Sequence, residues 1–169
     1  MLEEIKLSYN DLGGEIPFEL INLPQLKTLF LFGNNLSGEI PAFSNGLVLE
    51  EIKLYENNLS GEIPTSLGNL EHLVRLLLDK NHLSGEIPVN ILALSNLTTL
   101  KLSHNEISGS IPIEICNIEK VYLEDNNLSG SIPACVCNLS LISVYGNSLC
   151  EEYPECLDIE DIGSQDCPP

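Results

Sequence analysis

One short line recurs along this chain and constrains its fold more than any other feature. It reads LFGNNLSGEIP at Leu31–Pro41, LYENNLSGEIP at Leu54–Pro64 and LEDNNLSGSIP at Leu123–Pro133. An Asn follows the apolar residues in seven successive copies, at Asn10, Asn34, Asn57, Asn81, Asn105, Asn126 and Asn147. The spacings between these Asn are 24, 23, 24, 24, 21 and 21 residues. A period of this length predicts a repeat protein in which each copy forms one coil that stacks on its neighbours.

Each part of the repeat predicts a local structure. Before the Asn the template is L-x-x-L-x-L-x-x-N-x-L, and its alternating apolar residues predict a short strand with one buried face. A single strand cannot bury that face alone, so we expect the stacked copies to form a parallel sheet. The Asn carboxamide carries donors and an acceptor, and we expect the seven Asn to satisfy turn backbone groups as a ladder through the solenoid. Thr65–His72 has leucines three residues apart and suits a short helix or 3₁₀ turn on the far side.

These motifs together resemble the leucine-rich repeat family, specifically the plant-type subclass in which L-S-G-x-I-P follows the strand. The resemblance covers residues 2 to about 154. It implies a solenoid with a parallel sheet on its concave face, short 3₁₀ or helical turns on its convex side and a second short β element around G-x-I-P. We predict that residues 1–149 form the solenoid and that residues 150–169 form a cysteine-containing C-terminal cap like those of extracellular members. The seven copies start near residues 2, 26, 49, 73, 97, 118 and 139.

Six cysteines in the last third of the chain predict disulfide bonds and an oxidising compartment. Cys116 and Cys137 each stand four residues after a Pro, whereas Cys135 and Cys156 each stand two residues after one. We expect stacked coils to bring the members of each pair within disulfide range, which leaves Cys150 for Cys167. The L-C…C caps of the extracellular family suggest a competing pattern, in which Cys150 pairs with Cys156 and Cys135 with Cys167.

The sequence contains no catalytic constellation, so we predict a protein that is not an enzyme and uses no cofactor or metal. His72, His82 and His104 have no partner at a nucleophile or metal spacing, and no phosphate-binding loop occurs. Four acids share one repeat position and would form a stripe that could attract Ca²⁺, but a solvated stripe is the favoured interpretation. These acids are Glu15, Glu39, Glu62 and Glu86. The N-x-[ST] sequons would accept glycans in a eukaryotic secretory route. They start at Asn35, Asn58, Asn96, Asn127 and Asn138.

The residues that vary between copies are those predicted to point outward from the strand. They stand six, four, two and one positions before each Asn. Six of the seven basic residues and six of the nine aromatic residues fall there, but only six of the 25 acids. Aromatic, partly basic surface is typical of binding patches, although cross-strand aromatic pairs can also stabilise a sheet without binding anything. We predict a ligand-binding concave face formed by Tyr9, Phe30, Phe32, Lys53, Tyr55, Arg75, Leu77, Lys101 and Tyr122.

We therefore predict a non-catalytic module of a larger secreted or cell-surface protein that recognises a protein or peptide. A glycan is the less favoured ligand, because the chain has no Trp to stack on sugars. The net charge of −18 argues against nucleic acid, and no apolar run is long enough for direct membrane insertion.

The alternative is a structural spacer that self-associates through an uncapped N-terminal edge, because Leu2 already lies in the repeat register. The repeat follows Met1 at once with no signal peptide, so we expect a removed leader or a piece of a longer protein.

Overall fold

The computed structural model of this chain describes residues 2–150, 153–157, 162–165 and 167. Seven short parallel strands, one from each coil, form a single sheet in which neighbouring coils are neighbouring strands. A second parallel sheet of six short strands lies after the ladder Asn of each coil. With the strands numbered in chain order, the first sheet holds the odd-numbered strands and the second sheet the even-numbered ones. This architecture confirms the predicted solenoid of seven stacked coils.

The odd-numbered strands each end four residues before a ladder Asn. They are β1 (Glu4–Lys6), β3 (Thr28–Phe30), β5 (Glu51–Lys53), β7 (Arg75–Leu77), β9 (Thr99–Lys101), β11 (Lys120–Tyr122) and β13 (Leu141–Ser143). The even-numbered strands are centred on the L-S-G motif. They are β2 (Gly13–Gly14), β4 (Asn35–Gly38), β6 (Asn58–Glu62), β8 (His82–Gly85), β10 (Glu106–Gly109) and β12 (Asn127–Leu128).

The Gly of L-S-G is required by both its backbone and its surroundings. Gly38 has φ of +79°, which is a left-handed conformation that costs a side-chain-bearing residue free energy. A Cβ atom there would lie 2.8 Å from Cγ of Glu15, which belongs to the preceding coil. In the same way Glu39, Glu62 and Glu86 lie across the Gly of the next coil, at Gly61, Gly85 and Gly109.

Short helical turns connect the second sheet back to the first. The predicted turn on the far side is present as a 3₁₀ helix at Thr65–Asn69, in which the N–H of Leu67 donates to the carbonyl of Pro64 at 3.0 Å. Extended backbone at the Pro separates strand from turn, because the Pro ring fixes φ and supplies no N–H. The other turns are α-helices α1 (Phe18–Ile21) and α2 (Val89–Leu92) and the 3₁₀ helices Ile113–Asn117 and Ala134–Asn138.

A single core of Leu and Ile side chains runs the length of the stack between the two sheets and the far-side turns. The first coil departs most from this burial among the described residues, and Leu139 and Ile142 of the seventh coil are also only partly buried. Leu2, Leu7 and Leu12 are 56%, 44% and 38% exposed, whereas their equivalents in the second coil are at most 6% exposed. Those equivalents are Leu26, Leu31 and Leu36. The difference arises because the first coil covers the second, whereas the described residues include no coil that packs on the outer side of the first.

The Asn side chains bond one coil to the next. Nδ2 of Asn81 donates to the carbonyl of Leu78 in its own coil and to that of Leu54 in the preceding coil, both at 3.1 Å. Its Oδ1 accepts the backbone N–H of Leu59, also in the preceding coil, at 3.0 Å. Five further Asn repeat this arrangement, at Asn34, Asn57, Asn105, Asn126 and Asn147. The prediction of a seven-membered ladder was wrong at Asn10, whose Nδ2 bonds within its own coil to the carbonyls of Leu7 and Ser8.

The C-terminal end extends the ladder with a Gln. Oε1 of Gln165 accepts the N–H of Leu149 at 3.0 Å, and its Nε2 donates to the carbonyls of Val144 and Ile162 at 3.0 and 2.8 Å. These are the bonds that an eighth ladder Asn would make. Ile162 stands three residues before Gln165 and is buried. The residue three positions before each Asn that bonds between coils is also buried. The described part of the cap is therefore a shortened eighth coil, whereas the rest of the predicted cap lies outside the described residues.

Three disulfides close this end, and two of them differ from the expected pairs. Cys116 bonds to Cys135, Cys137 to Cys156, and Cys150 to Cys167, with Cα–Cα distances of 5.8, 5.6 and 5.5 Å. The predicted pairs Cys116–Cys137 and Cys135–Cys156 were wrong. The competing pairs Cys150–Cys156 and Cys135–Cys167 were wrong as well. The pairing of Cys150 with Cys167 agrees with the first pattern.

The physical reason is the rotation of the 3₁₀ turn. Ile115 and Val136 occupy equivalent buried positions, and Cys116 follows the first whereas Cys135 precedes the second. With three residues per turn, the residues on either side of the buried one are about 120° from it in opposite directions, so one turns to the next coil and the other to the preceding coil. Residues at the same coil position have parallel Cα–Cβ bonds, which do not converge as a disulfide requires. Both bridges therefore span 19 residues, two fewer than the repeat.

We predict that Asn81→Ala lowers the free energy of unfolding by about 3 kcal/mol, because it leaves one buried N–H and two buried carbonyls without this partner. Asn10→Ala is the matched control. In the described chain, Asn10 is exposed and its Nδ2 bonds only to the carbonyls of Leu7 and Ser8 in its own coil. The control should lose far less stability in urea denaturation. Equal losses from the two substitutions would contradict a stabilising role for the bonds between coils.

Candidate ligand-binding face

The outward side chains of the first sheet, continued by the two residues before each Asn, form one surface that we call the strand face. Strand register aligns equivalent positions of successive coils side by side. The alignment continues past the strands, where the N–H of Tyr9 donates to the carbonyl of Phe32 and that of Gly33 to the carbonyl of Tyr55. Four residues before each Asn, Lys alternates with aromatic or aliphatic side chains over the first six coils. This column reads Lys6, Phe30, Lys53, Leu77, Lys101, Tyr122 and Ser143.

Four aromatic rings meet on the first three coils, and we call Tyr9, Phe30, Phe32 and Tyr55 the aromatic patch. The rings of Phe32 and Tyr55 stack with centroids 4.3 Å apart and an interplanar angle of 11°. Tyr9 meets Phe32 edge to face at 5.1 Å, and Phe30 lies 6.2 Å from Phe32. Such arrangements suit the quadrupoles of aromatic rings. The patch is partly exposed, and the ring of Tyr9 is the most accessible member.

A Gly makes room for this patch. Gly33 takes the position of Tyr9 in the next coil, and a Cβ atom there would lie 2.5 Å from Cδ1 of the Tyr9 ring. Its φ of +66° belongs to the left-handed conformation that the residue before a ladder Asn adopts in every coil. The small residue therefore lets the Tyr9 ring lie across the second coil and reach Phe32.

Cationic side chains border the aromatic patch, and one of them contacts an aromatic ring. Nζ of Lys53 lies 4.0 Å from the centroid of the Phe30 ring, within range of a cation–π interaction. The same Lys53 pairs with Glu51 at 2.9 Å, and Glu51 also accepts a bond from Arg75 at 2.7 Å. One carboxylate thus serves two cations, and this part of the face keeps an excess of positive charge.

The nine residues predicted from sequence all lie on the strand face, but they do not form one cluster. Lys53 and Arg75 border the aromatic patch, and Leu77 lies between Lys53 and Lys101 in the register. Lys101 instead packs over the ring of Tyr122 at 4.3 Å, further along the stack.

Sequence reasoning missed two carboxylates. Asp79 and Glu124 stand two residues before a ladder Asn, in the column that elsewhere holds Phe32, Tyr55 and Ser103. Within the described part of the chain, Oδ1 of Asp79 and Oε2 of Glu124 are buried and have no hydrogen-bond partner. The sequence feature that could have identified them is an acid at a repeat position that otherwise holds aromatic and hydroxyl side chains. Whether such an acid is buried without a partner depends on its neighbours in other coils.

Burial raises the pKa values of two side chains on the strand face, Asp79 and Tyr55. Burial raises the pKa of Asp79, and this effect exceeds the opposing influence of its own backbone N–H and of Lys101 and Lys80. Burial, with smaller contributions from Tyr9 and two nearby carboxylates, raises the pKa of Tyr55 to about 12. At neutral pH the Tyr55 hydroxyl is therefore protonated and able to donate a hydrogen bond.

The remaining surface offers less for a ligand. Clefts lie on the far side between coils, for example where Gly68, His72 and Asn96 line a shallow groove. In the described ranges, no group of three or more His, Cys, Asp or Glu is arranged to hold a metal ion. None of the helices described is both long and apolar enough to cross a bilayer.

A family model for the Leucine Rich Repeat matches five segments that together cover more than half of the chain. The segments are residues 1–23, 25–47, 48–70, 96–118 and 117–139. The chain belongs to the leucine-rich repeat family. The structure adds leucine-rich repeat coils at β7 and β13, which lie outside the matched segments. No sequence among curated proteins matches the chain.

Solved leucine-rich repeat structures resemble most of this chain. The plant peptide hormone receptor RGFR1, in complex with RGF2, is 38% identical with a TM-score of 0.79 over 88% of this chain and 25% of that one. The Arabidopsis receptor kinase HAESA, in complex with the peptide hormone IDA and the co-receptor SERK1, is 37% identical with a TM-score of 0.79 over 88% and 26%. Pollen Receptor Kinase 3 is 31% identical with a TM-score of 0.78 over 92% and 78%. The chain spans about a quarter of the length of the first two.

We predict that Asp79→Asn raises the melting temperature at pH 7. A raised folded pKa means that the folded protein disfavours the charged carboxylate, so stability falls as pH rises from the unfolded value of 3.8 through the folded value. The amide carries no charge and avoids this loss, and its advantage should shrink as pH falls below 3.8. Thermal unfolding between acidic and neutral pH measures the difference. Glu86→Gln, at an exposed acid away from the strand face, is the control and should change the melting temperature little. A destabilised Asp79→Asn protein at pH 7 would contradict the assignment.

Proposed function

We propose that this leucine-rich repeat protein is a non-catalytic recognition module that binds a protein or peptide ligand on the strand face. The observation that carries the proposal is the aromatic patch, because four rings lie outward on a sheet whose interior is already filled by Leu and Ile. Outward aromatic groups bordered by Lys and Arg are typical of binding patches.

The patch has the composition and position of an energetic centre. Phe32 and Tyr55 lie on the second and third coils, where neighbouring coils on both sides help a bound ligand to exclude water. Full burial of such a side chain contributes roughly 1.5–3 kcal/mol. Lys53 and Arg75 at the border would orient a ligand by hydrogen bonds and charge.

The solved relatives support a peptide or protein as the ligand class. RGFR1 and HAESA are described in complex with peptide hormones, and a further neighbour is PEPR1 with AtPEP1, at a TM-score of 0.82 and 29% identity over 95% of this chain and 27% of that one. The absence of Trp and the charged border of the patch favour a peptide over a glycan.

We place the module outside the cell, in a secreted or cell-surface protein. Three disulfides in one 169-residue chain fit an oxidising compartment. The net charge of −18 keeps the module soluble and repels polyanions, so nucleic acid is excluded from the proposed partners.

We predict that Phe30→Ser/Phe32→Ser abolishes the binding of peptides selected on the parent protein from a displayed random-peptide library. The change removes two rings and the stacking surface of Tyr55, but both side chains are partly exposed and lie outside the core cluster. Far-UV circular dichroism should therefore stay unchanged. Phe18→Ser is the matched control, because Phe18 is an exposed ring away from the strand face. Peptides that bind the double variant normally would place the site elsewhere.

The exposed first coil favours a second candidate function, association end to end with another leucine-rich coil. Leu2, Leu7 and Leu12 present an apolar surface in the register of a coil stack. In addition, Asn10 bonds within its own coil, whereas the corresponding Asn34 also bonds across to Leu7 and Leu12. A coil placed on this end would cover the leucines and supply backbone partners to Asn10.

Sedimentation velocity tests this second function. Association through the first coil predicts a mass that grows with concentration in the parent and in Phe30→Ser/Phe32→Ser, and a monomer in Leu2→Ser/Leu12→Ser. A parent that stays monomeric at all concentrations would contradict self-association and leave ligand recognition as the proposed function.

A further inference from the structure

The charges of the strand face are divided into two parallel lanes of opposite sign. The first lane consists of the residues six and four positions before each ladder Asn, and it holds five bases and two acids. Its bases are Lys6, Lys53, Arg75, Lys101 and Lys120. The second lane consists of the residues two and one positions before each Asn, and it holds four acids and one base. Its acids are Glu56, Asp79, Glu124 and Asp125. The whole strand face has a net charge near zero, because the positive first lane and the negative second lane offset each other.

Each charged residue of the strand face on the first three coils lies in an ion pair within the molecule. In the first lane, Lys6 pairs with Glu4 at 2.6 Å, and Glu51 is shared by Lys53 and Arg75. Coils one to three also carry the aromatic patch. This half of the strand face is therefore suited to an apolar side chain more than to a charged one.

Coils four to six carry paired charges at Arg75, Lys80 and Asp125, and they also carry four charges without such partners. In the part of the chain that the structure describes, neither Lys101 nor Lys120 has a carboxylate within 4.0 Å, and neither Asp79 nor Glu124 has a cation within that distance. The two cations lie in the first lane and the two anions in the second. Each anion also has an oxygen without a hydrogen-bond partner, which is costly in a partly buried site.

The dimensions of the face match an extended chain that crosses the strands. The lanes are at most about 12 Å apart, since three to four residues separate their centres and a fully extended strand rises ~3.3 Å per residue. Successive side chains of an extended peptide point to opposite sides, so neighbouring residues would reach opposite lanes. Coils two and five are three strand spacings apart, about 14 Å, which four or five extended residues span.

We propose that the strand face selects an extended peptide with an apolar residue and, four or five residues away, an adjacent acid and base. The apolar side chain lies on the aromatic patch. The acid points to Lys101 and Lys120, and the base points to Asp79 and Glu124. This inference rests on the proposed function and specifies its ligand. A uniformly acidic or basic peptide is disfavoured, because one of the two lanes repels it.

The test selects peptides of about ten residues, long enough to cross the stack, from a displayed random library on the parent and on lane variants. On the parent we expect enriched peptides with an adjacent acid–base pair four or five residues from an apolar residue. Lys101→Glu/Lys120→Glu makes both lanes acidic and should enrich peptides with bases and no acids. Asp79→Lys/Glu124→Lys makes both lanes basic and should enrich the reverse. The combined fourfold variant restores opposite lanes and should recover acid–base pairs in the opposite order.

Peptides selected on the parent should bind Lys101→Glu/Lys120→Glu at least about tenfold more weakly at low salt, and the difference should shrink as salt rises. Glu62→Lys/Glu86→Lys has the same charge change as Asp79→Lys/Glu124→Lys but lies away from the strand face, and it should leave the selection unchanged. Asp79→Asn/Glu124→Gln is a milder pair that removes the preference for a base without placing cations in a partly buried site.

The outcomes separate this inference from the proposed function. Enriched peptides that depend on Phe30 and Phe32 but show no acid–base pattern, or the same pattern on every lane variant, overturn the two-lane inference alone. Enrichment that is insensitive to Phe30→Ser/Phe32→Ser, or no enrichment at all, overturns both. The expected patterns on the parent and variants support both.

Discussion

The structure depends on one interaction that is repeated through the stack, the Asn carboxamide that bonds across two coils. A coil of 21 to 24 residues turns sharply at the end of its strand and leaves backbone groups pointing inward, away from water. Asn81 illustrates how one side chain satisfies an N–H and two carbonyls at once. Because the bonds reach the preceding coil, they also fix the distance and register between coils. The Leu and Ile core can then repeat without change.

This division of labour leaves the strand face free to vary. Interior positions are restricted by packing and ladder positions by hydrogen bonding, whereas outward residues are restricted by neither. The face therefore tolerates aromatic rings on coils one to three and, among the described residues of coils four to six, buried carboxylate oxygens of Asp79 and Glu124 that have no hydrogen-bond partner. A near-neutral face on a strongly acidic molecule also lacks the repulsion that the rest of the surface would exert on an acidic ligand.

The two ends of the solenoid differ in how their backbone groups and apolar side chains are covered. At the C-terminal end, Gln165 takes the place of an Asn and the disulfide Cys137–Cys156 ties the shortened coil to its neighbour. At the N-terminal end, Leu2, Leu7 and Leu12 remain exposed and Asn10 bonds only within its own coil in the described chain. In the described chain, side-chain and disulfide bonds therefore tie the last coil to its neighbour, whereas the first coil presents exposed leucines.

The sequence by itself determined the coils, the ladder positions and the residues of the strand face, because strand periodicity and the Asn turn are local and recur seven times. Only the tertiary structure decided the features that depend on contacts between coils. The Cys116–Cys135 bridge follows from the rotation of 3₁₀ turns, which coil equivalence does not reveal. The sequence did not predict that Gln165 continues the Asn ladder, because Gln165 lies outside the repeat spacing and has a longer side chain than Asn. The unpartnered carboxylate oxygen of Asp79 is a property of three stacked coils, since whether a charge finds a partner depends on distances that no single repeat contains.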